Sequence, residues 1–157
     1  MKDSKRGLIM IVIINVIILQ VYSNSEDFDR GYQEEEITIN LKIDFGENEP
    51  NNLDTENMNG ANIFNVNYTT HYTNSWWIWT LVSAEYNISY TSTYYPNFGE
   101  MMESIDGIGN ENQYDENGNA TSGRYWALYN NGNYAETGAS STYLTDGESM
   151  MWKLSTW

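Results

Sequence analysis

The sequence predicts a small α+β domain in which short strands form a mixed sheet with one short helix. Residues 37–45 alternate apolar and polar side chains without interruption, as a half-buried strand does. Residues 76–86 carry apolar side chains at helical spacing, and the last third of the chain consists of short alternating segments separated by glycine-containing turns. Strands on both sides of a single helix are typical of an α+β sheet.

The N-terminus has the pattern of an export signal. A basic start precedes an apolar run over residues 8–22, and Ser23 and Ser25 suit a signal peptidase that cuts before Glu26. The run is shorter than the roughly 20 residues that a membrane-spanning helix needs. We therefore interpret residues 1–25 as a signal peptide, with an uncleaved N-terminal membrane anchor as the alternative.

The predicted domain begins after an acidic linker. The linker covers residues 26–36, and the domain extends over residues 37–157. Its first strand is predicted at 37–45, followed by a long polar loop at 46–60 and a second strand at 63–70. The inward faces of these two strands are predicted to consist of Ile37, Ile39, Leu41, Ile43 and Phe45, and of Phe64, Val66 and Tyr68.

The helix is predicted over residues 76–86, with Asn74 or Ser75 as its N-cap. Aromatic and β-branched residues also favour strands, so a strand over the same segment is the alternative. A further strand is predicted at 88–93. The apolar stripe of the helix is predicted to contain Trp77, Leu81 and Ala84, with Ile78, Val82 and Glu85 beside it.

The last third of the chain predicts hairpins. Asn131-Gly132 suits the type I′ turn, because both central residues of that turn need a positive φ. Asp146-Gly147 is a second turn signal. The segments beside the turns alternate as strands do: Tyr125, Ala127 and Tyr129 against Trp126 and Leu128, and Met150, Trp152 and Leu154 against Ser149, Met151 and Lys153.

Four motifs of this region carry a family resemblance. They are Ser-Ile-Asp-Gly-Ile-Gly at 104–109, Gly-Arg-Tyr-Trp-Ala-Leu-Tyr-Asn-Asn-Gly at 123–132, Gly-Ala-Ser-Ser at 138–141 and Asp-Gly-Glu-Ser-Met-Met-Trp-Lys-Leu at 146–154. In their order and residue sequence they resemble the transcobalamin-like C-terminal domain family, a domain of unknown function in many secreted proteins. The resemblance is specific over the last 60 residues or so and looser before them. It implies a β-grasp-like sheet and favours the helix at 76–86.

The same resemblance implies a ligand site. The family is related to the smaller cobalamin-contacting domain of transcobalamin and intrinsic factor, where a Trp-any-Leu strand faces the corrin. Trp126 and Leu128 match that pattern and are the predicted ligand-binding residues. Alternatively, both side chains point into the core, because the same strand must also supply core residues. The chain lacks the large helical domain of the animal proteins, so we expect it to cover only one face of such a ligand.

Charge and composition exclude several classes of partner. After removal of residues 1–25, four basic residues stand against 21 acidic ones, a formal net charge of −17. Such a surface repels nucleic acid and anionic lipid.

The chain contains no cysteine, so disulfides do not stabilise it. Its 13 Tyr, six Trp and four Phe exceed what a core of this size can hide, so some aromatic side chains are expected at the surface.

The sequence provides little for catalysis. His71 is the only histidine, and neither a Ser-His-Asp pattern nor a Cys/His cluster for zinc surrounds it. The glycines near 107–109 lack the lysine and the strand-to-helix context of a phosphate loop. We therefore predict a chain that is not an enzyme.

One loop resembles half of a calcium site. Asp115, Asn117 and Asn119 place oxygen ligands at alternating positions beside Gly118, as Ca²⁺ prefers. The glutamate that should follow is replaced by Arg124, so an acidic hairpin loop is the alternative.

Three glycosylation sequons start at Asn67, Asn87 and Asn119, and Asn119 is the best candidate because its loop is predicted to be exposed.

Together these features predict an exported, cell-surface binding module for a small ligand, with cobalamin as the ligand that the resemblance implies. Its predicted partners are a small molecule or another surface protein, with no nucleic acid, and with membrane contact only through the N-terminal segment. Two alternatives stay open. One is an adhesive or glycan-binding surface protein, which its surface tyrosines and tryptophans would suit. The other is a structural surface domain stabilised by cations, which its acidity would suit.

Overall fold

The computed structural model describes residues 31–53 and 55–157. Residues 33–157 form one compact unit. The predicted signal peptide or anchor at 1–25 and the start of the predicted linker lie outside the described residues. Within them, no helix combines the length and apolar character that a membrane-spanning segment needs.

Two sheets and one α-helix make up the described fold, which confirms the predicted α+β class with a mixed sheet. The larger sheet has the strand order β2-β1-β9-β7-β6, with β8 paired to β7, and the smaller sheet has the order β3-β4-β5. The elements are β1 (Tyr32–Asp44), β2 (Ile63–Tyr72), α1 (Ser75–Glu85), β3 (Tyr90–Tyr95), β4 (Gly99–Ile105), β5 (Ile108–Gly109), β6 (Glu111–Tyr114), β7 (Ala120–Asn130), β8 (Asn133–Tyr134) and β9 (Ser149–Thr156).

The centre of the larger sheet joins the first and last strands of the domain. β1 pairs in parallel with β9, from Asn40 opposite Ser149 to Asp44 opposite Lys153. β7 pairs with the other edge of β9 in the antiparallel direction, and Trp126 stands opposite Leu154.

The strands confirm the predicted alternation. Ile37, Ile39, Leu41 and Ile43 are buried in β1, while their neighbours are half-buried or exposed. β1 starts at Tyr32, five residues before its predicted start, and so includes the end of the acidic segment. Charged side chains do not prevent a strand where they face solvent. The acidic composition of this segment therefore predicted a linker where the strand in fact begins.

α1 confirms the predicted helix but presents a different face to the core. Asn74 caps it, because its Oδ1 atom accepts from the backbone N–H groups of Trp76 and Trp77 at 3.1 and 3.3 Å. The predicted stripe was wrong: Trp77 and Leu81 are half-buried and Ala84 is exposed. The helix is instead rotated so that the neighbouring apolar residues Ile78, Trp79 and Val82 face the core. Its buried residues are Ser75, Ile78, Trp79, Val82 and Ser83.

The way α1 ends moves the start of the next strand further along the chain. Asn87 adopts a left-handed conformation with φ of 54°, and the N–H of Ile88 donates to the Ser83 carbonyl at 2.8 Å. This pattern closes a helix and buries the apolar residue that follows it. β3 consequently begins at Tyr90, two residues after its predicted start at Ile88.

The long loop between β1 and β2 is anchored at two points. The buried carboxylate of Asp106 accepts from the backbone N–H and the side-chain amide of Asn52, at 2.8 and 3.3 Å. The Nη1 group of Arg124 donates to the Oδ1 atom of Asn48 at 3.1 Å. These contacts hold the loop against the β4–β5 turn and against β7.

Both predicted turns of the last third are present. Asn131 and Gly132 have φ values of 48° and 78°, as the type I′ turn between β7 and β8 requires. Asp146 and Gly147 form the turn before β9. Beneath these hairpins the core contains three fully buried indole rings, those of Trp79, Trp126 and Trp152.

Candidate functional site

An open cleft of about 470 Å³ lies between β4 of the smaller sheet and the β6–β7 part of the larger sheet. Its volume is within the range of small-molecule sites. Apolar surface dominates its lining, and amides and charged groups stand at its edge. The residues that define the cleft are Tyr95, Phe98, Met101, Arg124, Tyr125 and Trp126.

One wall of the cleft is apolar and exposed. The exposed fractions of Tyr95, Phe98 and Met101 are 47%, 58% and 36%. Large apolar side chains exposed together at a concave surface are typical of a binding site rather than of a core. This wall is the main functional feature that the structure adds to the sequence.

A tight turn presents this wall. The N–H of Phe98 donates to the Tyr95 carbonyl at 3.1 Å, and the Phe98 carbonyl accepts from Gly138 at 2.6 Å. A Cβ atom at Gly138 would lie only 2.5 Å from the carbonyl oxygen of Glu100, so this close approach requires glycine. The Gly-Ala-Ser-Ser motif therefore holds the start of β4 in place, and with it Phe98.

Trp126 forms the floor of the cleft but is largely buried, with 2% of its surface exposed. Its Nε1 group donates to the Ile108 carbonyl at 2.8 Å, and its ring meets Phe45 edge to face at 5.4 Å. Leu128 is 5% exposed and belongs to the same core cluster. Both side chains thus take the inward orientation that the sequence left open as the alternative. Direct ligand contact by them stays a prediction.

Tyr125 closes the cleft on the outer side of β7. Burial raises the pKa of its hydroxyl, and the neighbouring Tyr134 and Tyr129 raise it further. The group therefore stays neutral at physiological pH and can both donate and accept a hydrogen bond. Tyr129 and Tyr134 pack edge to face at 5.7 Å beside it.

The polar edge of the cleft carries its one cationic residue, Arg124. Its Nη2 group lies 3.1 Å from the Oε2 atom of Glu111, and Nη1 is bound to the loop at Asn48. Its Nε group is buried and has no partner among the described residues. Arg124 is thus fixed by two acceptors and retains a donor for a third.

Sequence reasoning missed Tyr95, Phe98, Met101 and Arg124. One signal was available: the segment Tyr-Tyr-Pro-Asn-Phe around Pro96 places three aromatic residues at a turn, where no core can receive them all. The positions of Met101 and Arg124 depend on the packing of the two sheets, which no local pattern reveals.

The predicted calcium loop is a hydrogen-bonded hairpin turn. The Oδ1 atom of Asp115 accepts from the backbone N–H groups of Asn117 and Asn119, both at 2.8 Å. The side chain of Asn119 and then these backbone bonds lower the pKa of Asp115 below its usual value. The carboxylate thus already serves as an acceptor inside the loop. In the described ranges, no cluster of three or more His, Cys, Asp or Glu residues is arranged so that it could hold a metal ion. Calcium binding at Asp115, Asn117 and Asn119 stays a prediction.

The other predicted positions lie apart from the cleft. The three sequon residues Asn67, Asn87 and Asn119 are exposed, on β2, after α1 and in the β6–β7 turn. His71 is on β2, with its Nε2 atom 3.6 Å from a carboxylate oxygen of Glu36. Glycosylation stays a prediction for all three sequons.

Residues 79–156 match the model of a family described as a domain of unknown function, DUF4430. The match begins inside α1 and includes every strand from β3 to β9. No functionally curated protein matches the chain.

The solved structures that are similar to the chain include the following two. One is haptocorrin in complex with Cbi, with 17% identity and a TM-score of 0.54, covering 80% of this chain and 26% of haptocorrin. This chain therefore spans about a quarter of the length of haptocorrin. The other is a candidate metal binding protein from Ruminococcus gnavus ATCC 29149, with 14% identity and a TM-score of 0.45, covering 76% of this chain and 96% of that one. The likeness to haptocorrin shows a shared fold.

Proposed function

We propose that this chain is an exported, non-enzymatic binding module that binds a small, flat, largely apolar ligand at the cleft between β4 and β7. The observation that carries the proposal is the exposed apolar wall of Tyr95, Phe98 and Met101 opposite the polar edge at Arg124. An apolar surface with a few placed polar groups is what most small-molecule sites have in common.

We further propose a corrinoid as the ligand class. A corrinoid has a broad, mostly apolar ring face with amides at its periphery. Ring contact would suit Phe98 and Tyr95, and an amide carbonyl would suit the partly exposed guanidinium group of Arg124. The fold shared with haptocorrin, which was solved in complex with Cbi, supports this ligand class.

An open cleft limits the affinity of this chain by itself. Such a cleft covers one face of a flat ligand, whereas tight sites bury most of the ligand surface. We therefore expect a dissociation constant weaker than about 1 μM for the isolated chain. A second protein or domain that covers the other face would strengthen binding, which is why another surface protein is a proposed partner.

Isothermal titration calorimetry with dicyanocobinamide and cyanocobalamin tests the proposal. We expect saturable binding of at least one corrinoid, and Phe98→Ala should weaken it about tenfold because an exposed aromatic contact is lost. Tyr94→Ala is the matched control, because Tyr94 is 62% exposed but does not line the cleft. Absence of binding by the wild type, or equal losses in the two variants, would contradict the proposal.

A glycan-binding surface is the second candidate function. The observation that favours it is the tyrosine cluster of Tyr125, Tyr129 and Tyr134 on the face of β7 opposite Trp126. Tyrosine hydroxyls and ring faces suit neutral sugars. Binding on a glycan array that is lost in Tyr134→Ala and retained in Phe98→Ala would favour this function over the corrinoid site.

A further inference from the structure

A second, much smaller cavity lies behind the floor of the cleft. It has a volume of about 20 Å³ and is bordered by β4, β7, β8 and β9 and by residues 135–138. Trp126 and Met101 border both the cavity and the cleft. The other residues that matter here are Glu100 and Trp152, which lie on its wall.

Two residues on this wall each carry a buried polar atom without a protein partner in the described part of the chain. These atoms are Oε2 of Glu100 and Nε1 of Trp152, and neither makes a hydrogen bond to any residue in the described part of the chain. Leaving a buried polar group unsatisfied costs about 1–3 kcal/mol, and folded proteins rarely tolerate it. Two such atoms on residues that line one small cavity therefore point to a shared partner.

The chemistry of the two atoms restricts that partner. An indole N–H can only donate, and an ionised carboxylate can only accept. A bound cation would suit Glu100 but would oppose the N–H of Trp152, and an anion would do the reverse. The partner must therefore be a neutral molecule that both donates and accepts.

We propose that the cavity is a binding site for one water molecule, which accepts a hydrogen bond from Nε1 of Trp152 and donates one to Oε2 of Glu100. The volume of about 20 Å³ admits a single water, which needs roughly 10–15 Å³ measured in this way. The water connects a carboxylate of the smaller sheet to β9 of the larger sheet, directly behind the floor of the cleft. This site does not depend on the identity of the cleft's ligand.

A high-resolution crystal structure of the protein tests the proposal directly. We expect one density peak in the cavity, within about 2.7–3.2 Å of both atoms. A cavity without density, or an ion that contacts Glu100 alone, would overturn it.

A double-mutant cycle tests the bridge in solution. If one water joins the two side chains, Glu100→Met should change the unfolding equilibrium constant about fivefold less in a Trp152→Phe background than in the wild type. Glu116→Met is the control, because Glu116 is exposed in the β6–β7 turn and should act additively with Trp152→Phe. Additive effects of Glu100→Met and Trp152→Phe would overturn the bridge. If Trp152→Phe fails to fold, the crystal structure of Glu100→Gln decides, because its amide oxygen should retain the water.

Discussion

Asp115 shows how one carboxylate organises a turn. Hydrogen bonds from Asn119 and Asn117 hold its pKa below the usual value for an aspartate, so its ionised form stabilises the folded state. This stabilisation is complete above the unfolded value and is lost as the pH falls through the lower folded value. We expect Asp115→Asn to lower the melting temperature at pH 7. The difference from the wild type should shrink as the pH falls through that lower folded value.

Amide hydrogen exchange at Asn117 and Asn119 locates this effect. Their N–H groups donate to Asp115, so they should exchange faster in Asp115→Asn, while the N–H of Trp126, which donates to Asn110, should not change. A difference in melting temperature that persists unchanged at the lowest pH would show that the charge is not the cause.

Asn74 has two roles at the start of α1. Its Oδ1 atom caps the helix, and its Nδ2 group donates to the Ser140 carbonyl at 2.9 Å. We expect Asn74→Ala to reduce the free energy of unfolding by about 1–2 kcal/mol, measured by urea denaturation. Asn74→Ser retains a side-chain oxygen for the cap and loses the bond to Ser140, so it should cost less. Equal losses would mean that the cap contributes nothing.

At the scale of elements, the β7–β8 hairpin depends on backbone conformation. Gly132 has a φ of 78°, and a Cβ atom there would meet no other atom within 4 Å. Gly132→Ala should therefore cost about 1–2 kcal/mol of unfolding free energy through backbone strain alone. Gly109→Ala is the control, because its Cβ would make only ordinary contacts, at 3.7 Å or more. A smaller loss in Gly132→Ala than in Gly109→Ala would contradict this account of the turn.

The elements themselves could be predicted wherever local chemistry determines them. The alternation of β1, the cap at Asn74 and the Asn131-Gly132 turn are all local, and the structure confirms them. The rotation of α1 is not local, because it depends on which side chains the two sheets can receive. For that reason the stripe with Trp77 and Ala84 was predicted to face inward, while Ile78 and Trp79 do so.

The same distinction applies to the candidate site. Trp126 and Leu128 could be identified from a motif, but whether they face a ligand or the core depends on the opposite sheet. The exposed wall at Phe98 and the cationic edge at Arg124 arise only when β4 packs beside β7. A site formed between two sheets therefore cannot be predicted from the sequence pattern of a single segment.

At the scale of the whole molecule, the main feature is a large net negative charge. The chain has a formal net charge of −15, from 22 acidic and seven basic residues. Because salt screens the repulsion among them, we expect the melting temperature to rise between about 0.01 and 0.15 M NaCl. CaCl₂ at equal ionic strength separates this screening from specific binding at the loop of Asp115, because equal rises would show screening alone. A larger rise with CaCl₂ would indicate a specific cation site and favour a cation-stabilised structural domain.

Methyl NMR of the methionine side chains tests the binding cleft most directly. Met101 lines the cleft, whereas Met151 on β9 lies outside it. On titration with diamagnetic dicyanocobinamide, we predict a saturable shift of the Met101 methyl signal, with the Met151 signal unchanged. A shift at Met151 without one at Met101, or no shift at either, would contradict ligand binding at this cleft.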